Sequence, residues 1–175
     1  MSKTLSIAQL GDRVLRQQAR PIENIESVQP LIDDLIGTAA VSNGVGIAAP
    51  QVGESYRLLI VASRPTIRYL NAPKMEPTAM INPQIIAHED EIVKDWEGCL
   101  SIPGIRGWVP RYRAIEVEYT SRDDRVQRLE LTDFVARIFQ HEYDHLEGLV
   151  FLDRLESTRD IITEQEYQKQ IVDPR

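Results

Sequence analysis

The sequence predicts an α+β fold, in which mixed or antiparallel strands pack around a central helix that carries the metal-binding pattern H-E-x-x-H. Two observations predict this arrangement. Apolar and polar residues alternate over 113–119 and again over 126–131, and the polar turn between them is typical of a β-hairpin. Residues 134–146 then place apolar side chains on most of a helix surface, so we expect this helix to be buried at the centre.

The elements of the first half are predicted from periodicity and from turn residues. Apolar residues recur at helical spacing over 28–40, and Asn43 and Gly44 suit the end of that helix. The continuous apolar run 56–62 predicts a buried strand. Three prolines within 64–77 predict a loop.

The second half begins with another predicted strand, 79–88. Pro83 lies inside it and cannot donate a ladder hydrogen bond, so we expect either an edge strand or a bulge there. After the central helix, residues 149–155 predict a short strand or extended segment, and a short polar tail begins at about residue 156.

Length and composition predict one catalytic domain over residues 1–175, since this length is typical of a single domain with a real core. The chain has 20 basic and 27 acidic side chains, and the net charge of −7 argues against nucleic acid or an anionic membrane as partner. Its single cysteine excludes an intrachain disulfide, which fits a reducing compartment. We expect a cytoplasmic protein, with an organellar stroma or matrix as the alternative.

The strongest chemical signal is the segment QHEYDH at 140–145. On a helix, His141 and His145 are one turn apart and project from the same face. Two imidazoles so placed can share one tetrahedral metal ion, and Glu142 beside them can act as a general base. The alternative is an ordinary helix with two incidental histidines.

A third ligand is suggested by the segment EGCLS at 97–101. A lone cysteine such as Cys99 is most often a small buried hydrophobic residue. Here Gly98 precedes it and Pro103 and Gly104 follow it, which indicates an irregular backbone rather than a regular apolar pattern. A thiolate is also a suitable third ligand for a metal held by two histidines.

The Gly-rich segment GVGIAAPQVG at 44–53 contains the pattern G-x-G-x-x-A. We reject a dinucleotide-binding site, because that fingerprint follows a strand and opens a helix. Here a predicted helix comes before it, and Pro50 would interrupt a helix that had just begun. A turn of small residues, or main chain brought close to a ligand, are the two remaining interpretations.

Together, and in this order, the segments 44–53, 97–101 and 140–148 resemble the three signature motifs of peptide deformylases. The resemblance extends from about residue 5 to residue 155. The segment EGCLSIPGIRG is similar to the type I members of bacteria and organelles.

This resemblance implies hydrolysis of the N-formyl group from formyl-methionine of newly synthesised polypeptides, with release of formate. It implies that Cys99, His141 and His145 bind the metal and that Glu142 is the catalytic acid and base. The implied metal is Fe²⁺, for which Zn²⁺, Ni²⁺ or Co²⁺ can substitute. The implied partners are N-formylmethionyl nascent peptides and water, with transient proximity to the ribosome.

The resemblance further implies that Gln51 and the backbone N–H of Leu100 bind the formyl oxygen. An amide suits this position, because a carboxylate would repel a developing oxyanion. For the peptide itself, we expect Gly46 and Gly98 to offer main chain for pairing with an extended substrate. The methionine pocket is expected from Ile138, Val45 and Leu100, and plain core packing is the alternative for each.

Two other functions fit parts of the sequence. A zinc endopeptidase can carry H-E-x-x-H, but it usually takes a downstream His or Glu as third ligand, and no His follows Gly148. A non-catalytic protein that binds formylated peptides would need neither Glu142 nor Gln51.

Overall fold

The computed structural model describes residues 3–174, and within them it contains three α-helices and eight strands. The helices are α1 (Gln29–Val41), α2 (Asp133–Leu146) and α3 (Glu164–Tyr167). The strands are β1 (Gly46–Ala48), β2 (Leu58–Val61), β3 (Thr78–His88), β4 (Ile92–Cys99), β5 (Ile102–Tyr112), β6 (Ala114–Thr120), β7 (Val126–Thr132) and β8 (Ile161–Thr163).

The predicted α+β class is confirmed, and the strand pairing is antiparallel throughout both sheets of the described chain. The helix predicted over 28–40 and the hairpin predicted over 113–131 are present as α1 and as β6 and β7. Among residues 3–174, no helix combines the length and the apolar character needed to cross a membrane.

The larger sheet, in the order β1-β2-β3-β6-β7, separates the two long helices. Side chains alternate across a strand, so successive residues of β2 face opposite layers. Leu58 and Ile60 pack in the core beside α1, whereas Leu59 and Val61 pack in the core beside α2. As predicted, α2 is largely buried, and its position under the sheet gives the motif a rigid support.

The smaller sheet is a long hairpin of β4 and β5, to which β8 adds a third strand. The irregular backbone predicted at 97–104 is present, because the register shifts between Glu97 and Cys99. The prediction missed that these residues are also the closed end of the hairpin, where Cys99 pairs with Ile102. Buried positions of β5 are occupied by charged residues, Arg106 and Arg111. These arginines hide the apolar alternation by which a strand is normally recognised.

Two predictions in the first half need correction. The segment 44–53 is not only a loop, because its residues Gly46–Ala48 form β1 and pair with β2. Strand β3 is not an edge strand, since it lies between β2 and β6. The bulge interpretation of Pro83 is confirmed: the register shifts between Ile81 and Gln84, and Asn82 has a φ of 48°.

The strand or extended segment predicted at 149–155 is also wrong, because Phe151–Arg154 form a 3-10 turn. The carboxylate of Asp153 accepts a hydrogen bond of 2.8 Å from the N–H of Val150, and this local bond favours a turn over an extended chain. The polar tail is partly ordered. Its residues 161–163 form β8, which pairs with Ile105, Arg106 and Gly107 of β5.

Candidate active site

The three predicted metal ligands meet where α2 passes the closed end of the β4–β5 hairpin. Helix α2 carries His141 and His145 on one face, and the hairpin turn brings Cys99 opposite them. The Cys99 Sγ lies 3.4 Å from the His145 Nε2. Ligand atoms of all three residues lie within 4.8 Å of one another, and all three residues are buried.

This donor set fits a tetrahedral divalent metal. With metal–sulfur and metal–nitrogen bonds of about 2.3 and 2.0–2.1 Å, neighbouring ligand atoms would lie about 3.4–3.6 Å apart. The observed separation of 3.4 Å between sulfur and Nε2 is already of that size. One thiolate and two imidazoles leave one tetrahedral position for water or substrate.

The ring of His141 is oriented by Glu97, a residue that the sequence did not single out. The Nδ1 of His141 lies 2.9 Å from a Glu97 carboxylate oxygen, which leaves Nε2 as the nitrogen available to a metal. Burial raises the pKa of Glu97, but the charge of Arg111 and hydrogen bonds from His141 and Arg111 outweigh it and hold that pKa far below its ordinary value. Glu97 is therefore an ionised acceptor, and Nδ1 donates to it.

A chain of buried charges extends behind Glu97. Arg111 binds Glu97 through two hydrogen bonds of 2.9 and 3.0 Å, and Arg137 of α2 adds another of 2.9 Å. The third guanidinium nitrogen of Arg111, Nη1, donates to Asp144, beside His145, at 2.6 Å. The hairpin and α2 are thus joined by paired charges next to both histidines. The sequence did not predict any of these buried ion pairs. The only signal that pointed to Glu97 was its position two residues before Cys99.

Electrostatics at Cys99 favour the thiolate. Burial raises the pKa of this thiol, but the charge of His145 and the hydrogen bond and charge of His141 lower it well below its ordinary value. A thiolate is the form in which cysteine binds metals.

Glu142 lies beside the histidines and is buried. Its Oε2 has no hydrogen-bond partner among the described residues. Burial raises the pKa of Glu142 to about 7; the charges of His141 and His145 oppose this rise, and those of Cys99 and Glu97 add to it. A carboxylate with this pKa and a free oxygen can accept and return a proton near neutral pH.

The side-chain amide of Gln51 points its NH₂ group at the thiol. Its Oε1 accepts a hydrogen bond of 2.8 Å from the N–H of Ala48. Its Nε2 then lies 3.5 Å from the Cys99 sulfur and 3.3 Å from the Ser101 hydroxyl oxygen. Leu100, whose backbone N–H was the second predicted donor, lies between these two residues in the hairpin turn.

One pocket brings these groups together with the predicted substrate-binding residues. It is lined by all of the predicted residues that face the peptide: Val45, Gly46, Gly98, Leu100 and Ile138, beside Gln51, Cys99, His141 and Glu142. The pocket is also lined by residues that the sequence did not indicate, namely Arg68, Tyr69, Trp96 and Phe134. Arg68 and Tyr69 belong to the proline-rich loop, which has no periodic pattern that would mark them.

Comparisons with known proteins agree with this chemistry. The family model of polypeptide deformylase matches residues 4–160. A protein of Nostoc sp. named peptide deformylase 2 is 65% identical over 167 residues, which cover 94% of this chain and 93% of the relative. Peptide deformylase 2 of Shewanella oneidensis is 41% identical, covering 97% and 94%.

A solved structure has the same fold as this chain. It is the Met-Ala-Ser-bound crystal structure of class I type b peptide deformylase from Acinetobacter baumannii. The TM-score is 0.86 at 41% identity, with 89% of this chain and 100% of that chain covered.

Proposed function

The chain belongs to the peptide deformylase family, and on this premise we propose the role of each residue in the pocket. The protein is a metal-dependent hydrolase that removes the N-terminal formyl group from formyl-methionine of newly synthesised polypeptides and releases formate. The endopeptidase and the non-catalytic alternatives are not favoured. The observation that carries the residue assignments is the meeting of Cys99, His141 and His145 as one donor group, beside a pocket that is lined by Cys99, His141 and Glu142.

We propose that Cys99, His141 and His145 hold one Fe²⁺ ion, which Zn²⁺, Ni²⁺ or Co²⁺ can replace. The 3.4 Å separation of Cys99 Sγ and His145 Nε2 supports a shared ion. When bound, a divalent metal supplies Lewis acidity, which makes water more acidic and polarises a carbonyl oxygen. Glu97 holds His141 in the orientation that this ligation needs.

Glu142 is proposed as the group that moves protons. Its unpartnered Oε2 takes the proton of the attacking water and returns it to the leaving methionine amine. As the formyl carbon becomes tetrahedral, negative charge develops on its oxygen. The Nε2 of Gln51 and the N–H of Leu100 are the donors proposed to stabilise that charge.

The peptide is proposed to lie along Gly46 and Gly98, pairing with their main chain. A side chain at Gly46 would obstruct it, because a Cβ there would lie 2.7 Å from Glu142 Oε1 and 2.8 Å from Ile138 Cγ2. Ile138, Val45 and Leu100 provide apolar surface for the methionine side chain. The Met-Ala-Ser-bound relative supports peptide binding to this fold.

We also propose the wider setting of the enzyme. Residues 1–175 form a single catalytic domain, since helix α2 packs against the larger sheet and contacts the hairpin of the smaller one. Its substrates are formyl-methionyl nascent chains, so we place it in the cytoplasm with transient proximity to the ribosome.

The function is tested by anaerobic purification, metal analysis and formate release from formyl-Met-Ala-Ser. We expect formate from this peptide, one bound metal per chain, and no cleavage of unformylated Met-Ala-Ser. Cleavage of an internal peptide bond would instead support the endopeptidase.

The role of Glu142 is tested separately by Glu142→Ala. This variant should keep its metal and lose formate release by about 10²-fold or more. Retained turnover would refute the proton-transfer role.

The identity of the metal is tested by exposure to air. The iron form should lose activity in air as the thiolate oxidises, and the Ni²⁺ form should keep its activity. An iron form that is stable in air would contradict an iron–thiolate site.

A further inference from the structure

The C-terminal residues 161–167, which we call the clasp, pack against the outside of the pocket wall. They comprise β8 and α3, and they begin immediately after the last residue matched by the family model, residue 160. The clasp is anchored by Arg106 of β5, whose side chain is 0% exposed. The Arg106 Nε donates to Glu164 at 2.6 Å, and its Nη2 donates to the other Glu164 oxygen at 3.2 Å.

The Arg106 guanidinium is also enclosed by two aromatic rings. Its central carbon lies 4.5 Å from the ring centre of Tyr167 in the clasp and 5.1 Å from that of Tyr69 in the pocket wall. Cation–π attraction of this kind is stronger for a desolvated cation. The clasp therefore holds Arg106 by an ion pair and by a ring, and Tyr69 completes the enclosure from the pocket side.

Arg106 supports the wall on which the peptide is proposed to lie. A Cβ at Gly98 would lie 3.2 Å from both Arg106 Cδ and Nε, so the arginine packs directly behind that glycine. The N–H of Gly98 donates to the Tyr69 hydroxyl at 3.4 Å. Trp96, another wall residue, meets the Tyr167 ring edge-on at 6.0 Å.

Within the clasp, Glu164 is the residue on which the position of Arg106 depends most, because it balances the charge of the guanidinium. A buried guanidinium needs an anionic partner, because an unpaired buried charge is costly. Within residues 3–174, no carboxylate other than that of Glu164 is within ion-pair distance of Arg106. Removing that carboxylate should make Arg106 move towards water, and Gly98 and Tyr69 would lose the side chain that supports them.

We propose that Glu164 and Tyr167 are positioning residues for substrate: through Arg106 they hold the Gly98–Tyr69 wall in the shape that binds the peptide downstream of formyl-methionine. This proposal rests on the proposed substrate contact of Gly98. Within residues 3–174, no clasp residue hydrogen-bonds to Cys99, His141, His145 or Glu142, so we expect the clasp to act on KM for peptides rather than on the chemical step.

The test compares Glu164→Gln and Tyr167→Ala with the matched control Glu166→Gln. Glu166 lies on the same helix but pairs with the exposed Lys169 at the surface. Formate release is measured with formyl-Met-Ala-Ser and with formyl-methionine alone. Both clasp variants should raise KM for the tripeptide about three- to tenfold, as for a weakened charge-assisted contact, with kcat, metal content and KM for formyl-methionine unchanged. The control should match wild type.

The proposal would be overturned if Glu164→Gln and wild type had equal KM values for formyl-Met-Ala-Ser. It would also be overturned if the variant raised KM equally for the tripeptide and for formyl-methionine, or if it lost bound metal. Glu164→Asp should recover part of the affinity. Calorimetric binding of Met-Ala-Ser gives a second readout that needs no turnover, and the clasp variants should bind it more weakly than the control. Wild-type protein that binds formyl-Met-Ala-Ser but releases no formate from it would contradict the proposed function, whereas the effect of the clasp on peptide binding could still be measured by calorimetry.

Discussion

At the scale of single residues, Glu97 shows that the site includes residues other than the proposed metal ligands. Its two carboxylate oxygens accept hydrogen bonds from His141, Arg111 and Arg137. The hydrogen bond to Nδ1 sets the tautomer of His141, and the two arginines keep the carboxylate ionised although it is buried.

Glu97→Gln should weaken metal binding by about 10- to 100-fold, because an amide is a poorer acceptor for the His141 N–H and cannot balance two arginines. Competition with a chromogenic chelator measures the affinity. Glu89→Gln is the control, since Glu89 is exposed in the turn before β4. Metal affinity that is unchanged in Glu97→Gln would show that Glu97 does not orient His141.

Gly46→Ala should reduce activity and also lower stability. The added Cβ would lie 2.7 Å from the Oε1 of Glu142, which can rotate, but also 2.9 Å from the Cγ of Glu142 and 2.8 Å from the Cγ2 of the buried Ile138, which must both shift. Glu142 would then be displaced from its proton-transfer position, and we expect a loss in kcat/KM of about 10²-fold. Formate release, metal content and thermal unfolding should be compared; a fall in metal content equal to the fall in activity would contradict this explanation.

At the scale of elements, the β4–β5 hairpin and helix α2 form the site jointly. The hairpin provides Gly98, Cys99 and Arg111, whereas α2 provides Arg137, both histidines and Glu142. Arg111 links the two elements, because it binds Glu97 on β4 and Asp144 on α2.

Arg111→Met should lower the free energy of unfolding by about 3–5 kcal/mol, since it leaves two buried carboxylates with less compensation. Urea denaturation measures this loss. The control is Arg113→Met on the segment after the same hairpin, where the side chain is 47% exposed and pairs with Glu91 and Asp133 at the surface. That exposed network should contribute much less, because water screens its ion pairs. Similar losses for the two variants would argue against the buried link.

At the scale of the whole molecule, metal binding should stabilise the fold. The three proposed ligands come from two elements that lie far apart in the sequence, so an ion held by all three should bind the native state much more tightly than the unfolded chain. Loaded with Ni²⁺ at about 100 times its dissociation constant, the protein should gain about 2.7 kcal/mol.

For a chain of this size that gain corresponds to a rise in Tm of about 5–11 °C. Differential scanning calorimetry of the metal-free and Ni²⁺-loaded protein measures the shift. Cys99→Ala should retain the fold and lose most of the shift, because it removes one of the three ligands. An equal Ni²⁺-dependent shift in that variant would show that the ion binds elsewhere.

The chemical groups of the candidate site could be predicted from the sequence because each of them lies in a short segment of the chain. His141 and His145 face the same way on any helix, and a thiol and an amide have the same chemistry wherever they lie. The order of the three segments indicated the family, which the comparisons confirmed. The α+β class followed from the alternation in β6 and β7 and from the apolar helix α2.

Only the tertiary structure decided which distant residues support that chemistry. Glu97 and His141 are 44 residues apart, and Arg106 and Glu164 are 58 apart. Such pairs depend on how strands pair and how α2 lies across them, and a buried ion pair has no local sequence period. The same reason explains why the β4–β5 hairpin was not predicted. In the sequence, Arg106 and Arg111 resemble surface residues, because the carboxylates that pair with them lie far away along the chain and come close only in the folded protein.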